Sequence, residues 1–225
     1  MAINQEKLQR VCDILHERYH SPRLGNKRNP LNELVFIILT TKTGPKNYTR
    51  TYNALRKKYP SWNEVLIADP DEVAQVISPG GLANQKARLL QKVLGAIRET
   101  SGKRLSLSFL KSYSDQEAET YLLSLPGVGY KIAKCVLMYA LDRQVLPVDT
   151  HTYRLALELG LINETYMRNE KGKLHKELEE LIPPHLRYGF HVNSVVHGRK
   201  EHRTRSDTKC PLVRLLEAEA LTPLH

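Results

Sequence analysis

Two short runs bring together residue types that can do chemistry. Leu125-Pro126-Gly127-Val128-Gly129-Tyr130-Lys131 joins a glycine-rich turn to a lysine, and Val148-Asp149-Thr150-His151 adds a carboxylate. Gly127 and Gly129 permit positive φ values, which would point successive backbone N–H groups into one concavity suited to a phosphate oxygen. Ile132, Cys135, Val136 and Tyr139 then repeat at helical spacing. A helix starting there adds the partial positive charge of its N-terminus to the same anion site. Taken alone, Pro126-Gly127-Val128-Gly129 reads equally well as a helix stop and restart.

Several elements must position these groups. Ser114 with Glu117 three residues on reads as a capping box that opens a helix reaching about Ser124, so the run is a helix-hairpin-helix. Asp149 is a good N-cap for a segment carrying Tyr153, Leu155, Ala156 and Leu159, which Gly160 can end. Leu8, Val11, Cys12 and Leu15 mark an amphipathic N-terminal helix, and Leu34 to Leu39 is apolar all round, as a buried central helix would be. Leu90, Val93, Leu94 and Ile97 mark another. Ser61 to Ala68 and Asp71 to Ile77 read as short capped helices, and Leu174, Leu178, Leu181 and Ile182 end one that Pro183-Pro184 stops. Loops at Ser21 to Pro30 and Ser78 to Gly81 separate these units. No strand alternation, repeat or low-complexity tract is present, so the fold class is all-α.

Composition sets the class of partner. With 225 residues and 41% hydrophobic residues the chain can fill one large or two small cores, and its formal net charge of +10 attracts polyanions. Basicity alone leaves DNA binding and mere solubility evenly matched, and the hairpin tips the balance to DNA. There is no run of eighteen apolar residues and no secretory pattern, so no membrane partner is expected. Three cysteines, none close to another in sequence, suit a reducing compartment. The expectation is an intracellular, DNA-associated monomer, in cytoplasm and nucleoid or in a nucleus.

In residue type and order, Leu125 to Lys131 followed by Val148 to His151 resembles the helix-hairpin-helix DNA glycosylase superfamily, in its endonuclease III branch. Gly81-Leu82-Ala83-Asn84-Gln85-Lys86-Ala87 resembles the family's wedge loop, and His197-Gly198-Arg199 its later His-Gly-Arg run, so the resemblance spans about residues 5–200. It implies two helical domains with a DNA-binding cleft between them. Residues 29–142 would form a helical barrel with the hairpin at about 114–141, and residues 1–28 plus 143–225 a second domain carrying Asp149. One departure lies at Thr40-Thr41-Lys42-Thr43-Gly44-Pro45, where the family usually has Ser-Ala-Gln.

The resemblance also implies a chemistry. A glycosylase turns its target nucleotide out of the duplex to reach the sugar C1′. Lys131 would attack C1′ and form a Schiff base, from which β-elimination cuts the strand, and Asp149 would stabilise the positive charge developing on the sugar. Burial and neighbouring cations such as Lys134 would help Lys131 lose its proton. The alternative for Lys131 is a lysine that only binds phosphate; for Asp149 the capping and catalytic readings are compatible. Gly127, Val128 and Gly129 would hold DNA phosphate. Leu82 is a wedge candidate or else a loop residue folded inward, and Lys42 contacts the opposite strand or is a solvated charge. His151 and Arg154 either orient the Asp149 segment and touch phosphate or are structural.

Endonuclease III proteins commonly carry four cysteines that bind a [4Fe-4S] cluster. This chain has only Cys12, Cys135 and Cys210, with His202 where the first ligand would fall. Four thiolates are required, so no cluster is expected, and Cys12 and Cys135 read as core residues. A substitute site from His185, His191, His197, His202 or Cys210 matches no recognised zinc spacing. The resemblance leaves room for a monovalent cation at the hairpin. The expected substrate is double-stranded DNA with a damaged base, first an oxidised pyrimidine. Alternatives are 8-oxoguanine, mismatched or otherwise modified bases, a non-catalytic DNA-binding module and a helical protein adaptor.

Overall fold

The computed structural model describes residues 5–102, 104–163, 171–201, 210, 212 and 214, so His202 lies outside the described residues. These are all-α, with no strand among them. In chain order the helices are α1 (Gln5–Tyr19), α2 (Pro30–Thr40), α3 (Pro45–Lys58), α4 (Trp62–Ile67), α5 (Pro70–Ile77), α6 (Ala83–Ser101), α7 (Asp115–Ser124), α8 (Tyr130–Ala140), α9 (Thr150–Glu158), α10 (Lys171–Leu181) and α11 (Pro184–Glu201). The chain divides into two compact units, Gly25–Arg143 and the joined segments Met1–Leu24 and Gln144–His225.

The Gly25–Arg143 unit is built round α2. The Asn29 side chain accepts the N–H groups of Leu31 and Asn32, and Pro30 supplies a preset φ at the first helical position. Every residue from Leu34 to Leu39 is buried, because α3, α6 and α8 pack on α2 from different sides. α3 is rich in basic and polar residues, yet Tyr48, Tyr52 and Leu55 give it a buried face. Phe36 of α2 meets both Tyr48 and Tyr52 edge-on, with ring centroids 5.5 Å apart in each case. α6 contributes Leu90, Val93, Leu94 and Ile97 to the interior.

In the other unit, α1 buries Leu8, Val11, Cys12 and Leu15 in a cluster with Leu155 and Ala156 of α9, Leu174 and Leu178 of α10, and Phe190 of α11. α11 packs against α1 and α9. α10 ends at Leu181, ahead of the Pro183-Pro184 pair as expected, and Pro184 has a second role. It is the first residue of α11, where a missing N–H costs nothing and the fixed φ favours the helix. None of the described helices is long and apolar enough to cross a membrane.

Candidate active site

In the Gly25–Arg143 unit, the hairpin forms from local sequence. Ser114 Oγ accepts the Glu117 N–H at 3.3 Å while Glu117 Oε2 accepts the Ser114 N–H at 2.8 Å, a reciprocal cap that starts α7. α7 ends at Ser124, and the Val128 N–H closes the turn on the Leu125 carbonyl at 3.1 Å. Gly127 has φ 68°, and a Cβ there would overlap the Leu89 side chain. Gly129 departs from expectation: its φ is −99°, open to any residue, and its value lies in the open space where a Cβ would stand. Val128 differs too. Its side chain is buried and its N–H is used within the turn, so it builds the hairpin rather than lining its mouth.

Lys131 lies in the first turn of α8 and is half-buried. Lys134, one turn on, is buried and paired with Glu119 of α7 at 2.7 Å. That pair ties the two helices of the hairpin, and its carboxylate offsets the cation that was expected to act on Lys131. A carboxyl group that the sequence did not announce is Glu33, wholly buried on α2. Its oxygens accept from Asn26 Nδ2 and the Lys27 N–H, each at 2.5 Å. Burial pushes its pKa up to about 7, against the opposing effects of those two hydrogen bonds and of the Lys131 and Lys27 ammonium groups.

Two loops of the same unit carry Lys42 and Leu82. Both residues take the left-handed backbone conformation, with φ 51° and 52°, which costs a residue with a Cβ about 1–2 kcal/mol. Leu82 is 43% exposed, so it is not folded into the core, and Lys42 is exposed.

In the other unit, Asp149 caps α9: its Oδ1 accepts the N–H groups of His151 at 3.0 Å and Thr152 at 2.8 Å. The extended chain leading to it is held by side chains far away in sequence. His175 Nε2 accepts the Val148 N–H at 3.2 Å, and Glu179 Oε1 accepts the Leu146 N–H at 2.6 Å. The Arg187 guanidinium donates to the carbonyls of Gln144, Glu179 and Ile182. Thr152 Oγ1 bonds His191 Nδ1 at 3.0 Å. Gly198 of α11 lies against the His151 ring, which a Cβ there would overlap. His151 is therefore packed by the fold, whereas Arg154 is exposed. Sequence reasoning missed His175, Glu179 and Arg187, for nothing local marks a side chain that braces a distant segment.

The residues present do not fit an iron-sulfur cluster, since three cysteines cannot supply four thiolates. Cys12 and Cys210 are buried in the core of one unit and Cys135 in that of the other. Cys210 Sγ lies 3.0 Å from His197 Nε2, and His197 Nδ1 bonds the Tyr19 hydroxyl at 2.8 Å. Among the described residues no group of His, Cys, Asp and Glu is gathered as a metal site.

The family described as HhH-GPD superfamily base excision DNA repair protein matches residues 35–184, well over half of the chain, from within α2 through Lys131 and Asp149. The chain belongs to the HhH-GPD superfamily. An Arabidopsis thaliana protein named provisionally as a DNA glycosylase is 32% identical over 214 residues, covering 86% of this chain and 72% of that protein. Endonuclease III of Synechocystis is 28% identical over 201 residues, covering 88% and 85%. A solved non-covalent Endonuclease III-DNA complex shares the fold, with a TM-score of 0.78 at 21% identity over 98% of this chain and 100% of that one. This HhH-GPD protein is a base-excision repair DNA glycosylase of the endonuclease III-like kind.

Proposed function

We propose that this glycosylase removes an oxidised pyrimidine from double-stranded DNA and then cuts the strand by β-elimination, through a Schiff base on Lys131. The observation that carries this reading is the placement of Lys131 in the first turn of α8, directly beyond the Gly127 turn and at the positive end of the helix. A phosphate held at the open backbone of Gly129 brings a deoxyribose to within reach of the amine. The choice of oxidised pyrimidines rests on the resemblance to the endonuclease III branch, two of whose members align with most of the chain.

The neutral Lys131 amine attacks C1′, the C1′–N bond breaks, and the base leaves with the bonding pair and takes up a proton. The nitrogen lone pair then forms an iminium as the ring C1′–O4′ bond opens and O4′ is protonated. Loss of a C2′ proton expels the 3′ phosphate and breaks the strand. Asp149, fixed by two backbone N–H bonds, is the carboxylate that stabilises the positive charge on the sugar during base loss. Leu82 enters the base stack that the extruded nucleotide vacates, and Lys42 meets the opposite strand. The exposed Arg154 contacts phosphate.

Duplexes carrying thymine glycol, 8-oxoguanine, uracil or 5-methylcytosine, treated with borohydride, test the proposal. The expected result is a covalent adduct on thymine glycol that disappears in Lys131→Ala, with activity lowered at least about a thousandfold. Base release with no trapped adduct would show hydrolysis by water and remove Lys131 as nucleophile. An adduct confined to another lesion would reassign the substrate.

A further inference from the structure

A cation is buried where the two loops meet. Lys86, on the first turn of α6, is only 4% exposed. Its Nζ donates to the Leu39 carbonyl at 2.9 Å, to the Gly80 carbonyl at 2.9 Å and to Thr43 Oγ1 at 2.6 Å. The Thr43 hydroxyl, with one proton to give, lies within reach of the same two carbonyls, Leu39 and Gly80. All three ammonium donors are therefore used, and the partners are neutral.

The position of these partners gives the knot a function. Leu39 and Thr43 bracket Lys42, while Gly80 and Lys86 bracket Leu82. The Leu39 carbonyl belongs to the last turn of α2, which has no intrahelical partner to offer it. The Lys86 N–H also bonds the Leu82 carbonyl at 2.9 Å, so the lysine is anchored one turn from the wedge candidate. A left-handed leucine and a left-handed lysine persist only where their surroundings hold them, and these hydrogen bonds join both strained residues to one ammonium group. Lysine is costly to bury without a counter-ion, and burial pulls the Lys86 pKa below its usual value. An apolar side chain of the same length would leave the Leu39 and Gly80 carbonyls to share the one Thr43 hydroxyl proton.

We propose that Lys86 is a positioning residue that locks the Lys42 and Leu82 loops into one rigid unit, so that wedge insertion and opposite-strand contact occur as a single event. This rests on the reading of Leu82 and Lys42 as DNA-facing. Lys86 itself touches neither the sugar nor the base, and it acts on extrusion of the nucleotide rather than on bond breaking.

The test uses the full chain with two substrates, a duplex carrying thymine glycol and a single-stranded oligonucleotide with an abasic site, which needs no extrusion. In Lys86→Met, single-turnover excision from the duplex should fall about tenfold, with cleavage and borohydride trapping on the single strand changed less than about twofold. A 2-aminopurine placed beside the lesion should lose the fluorescence rise that the wild type produces on binding. Leu82→Ala should show the same split, and the double variant should be no slower than the slower single, because both remove one event. Thr43→Val, which deletes the shared hydroxyl and keeps the lysine, should give a weaker form of the pattern, and it carries the test if Lys86→Met does not fold. Equal losses on both substrates, or losses that multiply in the double variant, overturn the proposal while leaving the function intact. A wild type that neither excises nor is trapped overturns the function as well.

Discussion

The two units solve the same problem, holding a reactive side chain still, with different buried chemistry. In the unit that carries the hairpin, the buried polar groups include the ionisable side chains of Glu33, Lys86 and Lys134. Around Asp149 they are Thr152, His175, His191, Asn193, Ser194 and His197, hydroxyls, an amide and imidazoles. Charges can tie several carbonyls or two helices at once, as Lys86 and Lys134 do, but each carries a desolvation cost. Neutral imidazoles cost less to bury, and His197 still joins two segments through its two ring nitrogens. Lys131 thus stands on a helix start whose supports are local, and Asp149 on an extended segment whose supports are distant in sequence: the buried imidazole of His175 together with the half-buried Glu179 and Arg187.

The largest expected effect breaks the charged side of that contrast. Glu33 holds its proton up to about pH 7 in the folded protein, against an ordinary value of 4.5. Its folded pKa is raised, so its contribution to stability is fully present below 4.5 and is lost as pH rises through about 7. Above that pH the ionised group costs about 3 kcal/mol relative to the unfolded chain. Glu33→Gln removes the ionisation, and Asn26, whose buried Oδ1 has no partner, can turn its amide to accept from the new Nε2. The variant should gain about 3 kcal/mol at pH 8 and almost nothing at pH 4, read from urea midpoints. Equal midpoint shifts at the two pH values would mean that Glu33 is not the ionising group.

A smaller effect is expected from the uncharged side. His175→Leu fills the space but leaves the Val148 N–H buried without its acceptor, a loss of about 1–3 kcal/mol. Its consequence for catalysis separates bracing from packing. Displacing the Asp149 segment should lower the rate of base loss about tenfold while leaving the KM for duplex within about twofold. His175→Gln keeps an acceptor and should recover most of the rate. If both variants lose rate and affinity together, His175 matters only for folding.

The same division governs what was legible in the sequence. The α7 cap, the α8 start and the Asp149 cap follow from residues within a few positions of one another, and Ser114, Glu117 and Asp149 do what their spacing predicts. The buried α2 was legible because no polar residue interrupts Leu34 to Leu39. α3 was not marked, since its buried face is made of tyrosines that also read as surface residues. α11 gave no stripe because it buries His191, Asn193, Ser194 and His197, whose hydrogen bonds replace apolar contacts. Lys86 stood in a recognisable run, but a lysine is ordinarily exposed, and only the three-dimensional convergence of the Leu39 and Gly80 carbonyls gives it a reason to be inside. The positive φ assigned to Gly129 failed for a related reason. A glycine at a helix start can serve by its missing side chain as well as by its backbone freedom, and the sequence does not distinguish the two.

That distinction yields the smallest expected effect on the fold. At φ −99° and with open space in place of a Cβ, Gly129→Ala should alter stability by less than about 0.5 kcal/mol. The poorer N-cap and the reduced freedom of the unfolded chain act in opposite directions and nearly cancel. Duplex affinity should nonetheless fall about tenfold, because the methyl group occupies the place through which a phosphate approaches the start of α8. The slope of log affinity against log salt should stay unchanged, since no charge is removed, whereas Lys42→Ala should reduce it by about one ion if Lys42 meets a phosphate. A Gly129→Ala protein that binds duplex as tightly as the wild type would place the phosphate elsewhere. The hairpin would then be a helix stop and restart after all, and Lys131 would owe its position to the Lys134–Glu119 pair and the packing of α8 rather than to the anion site.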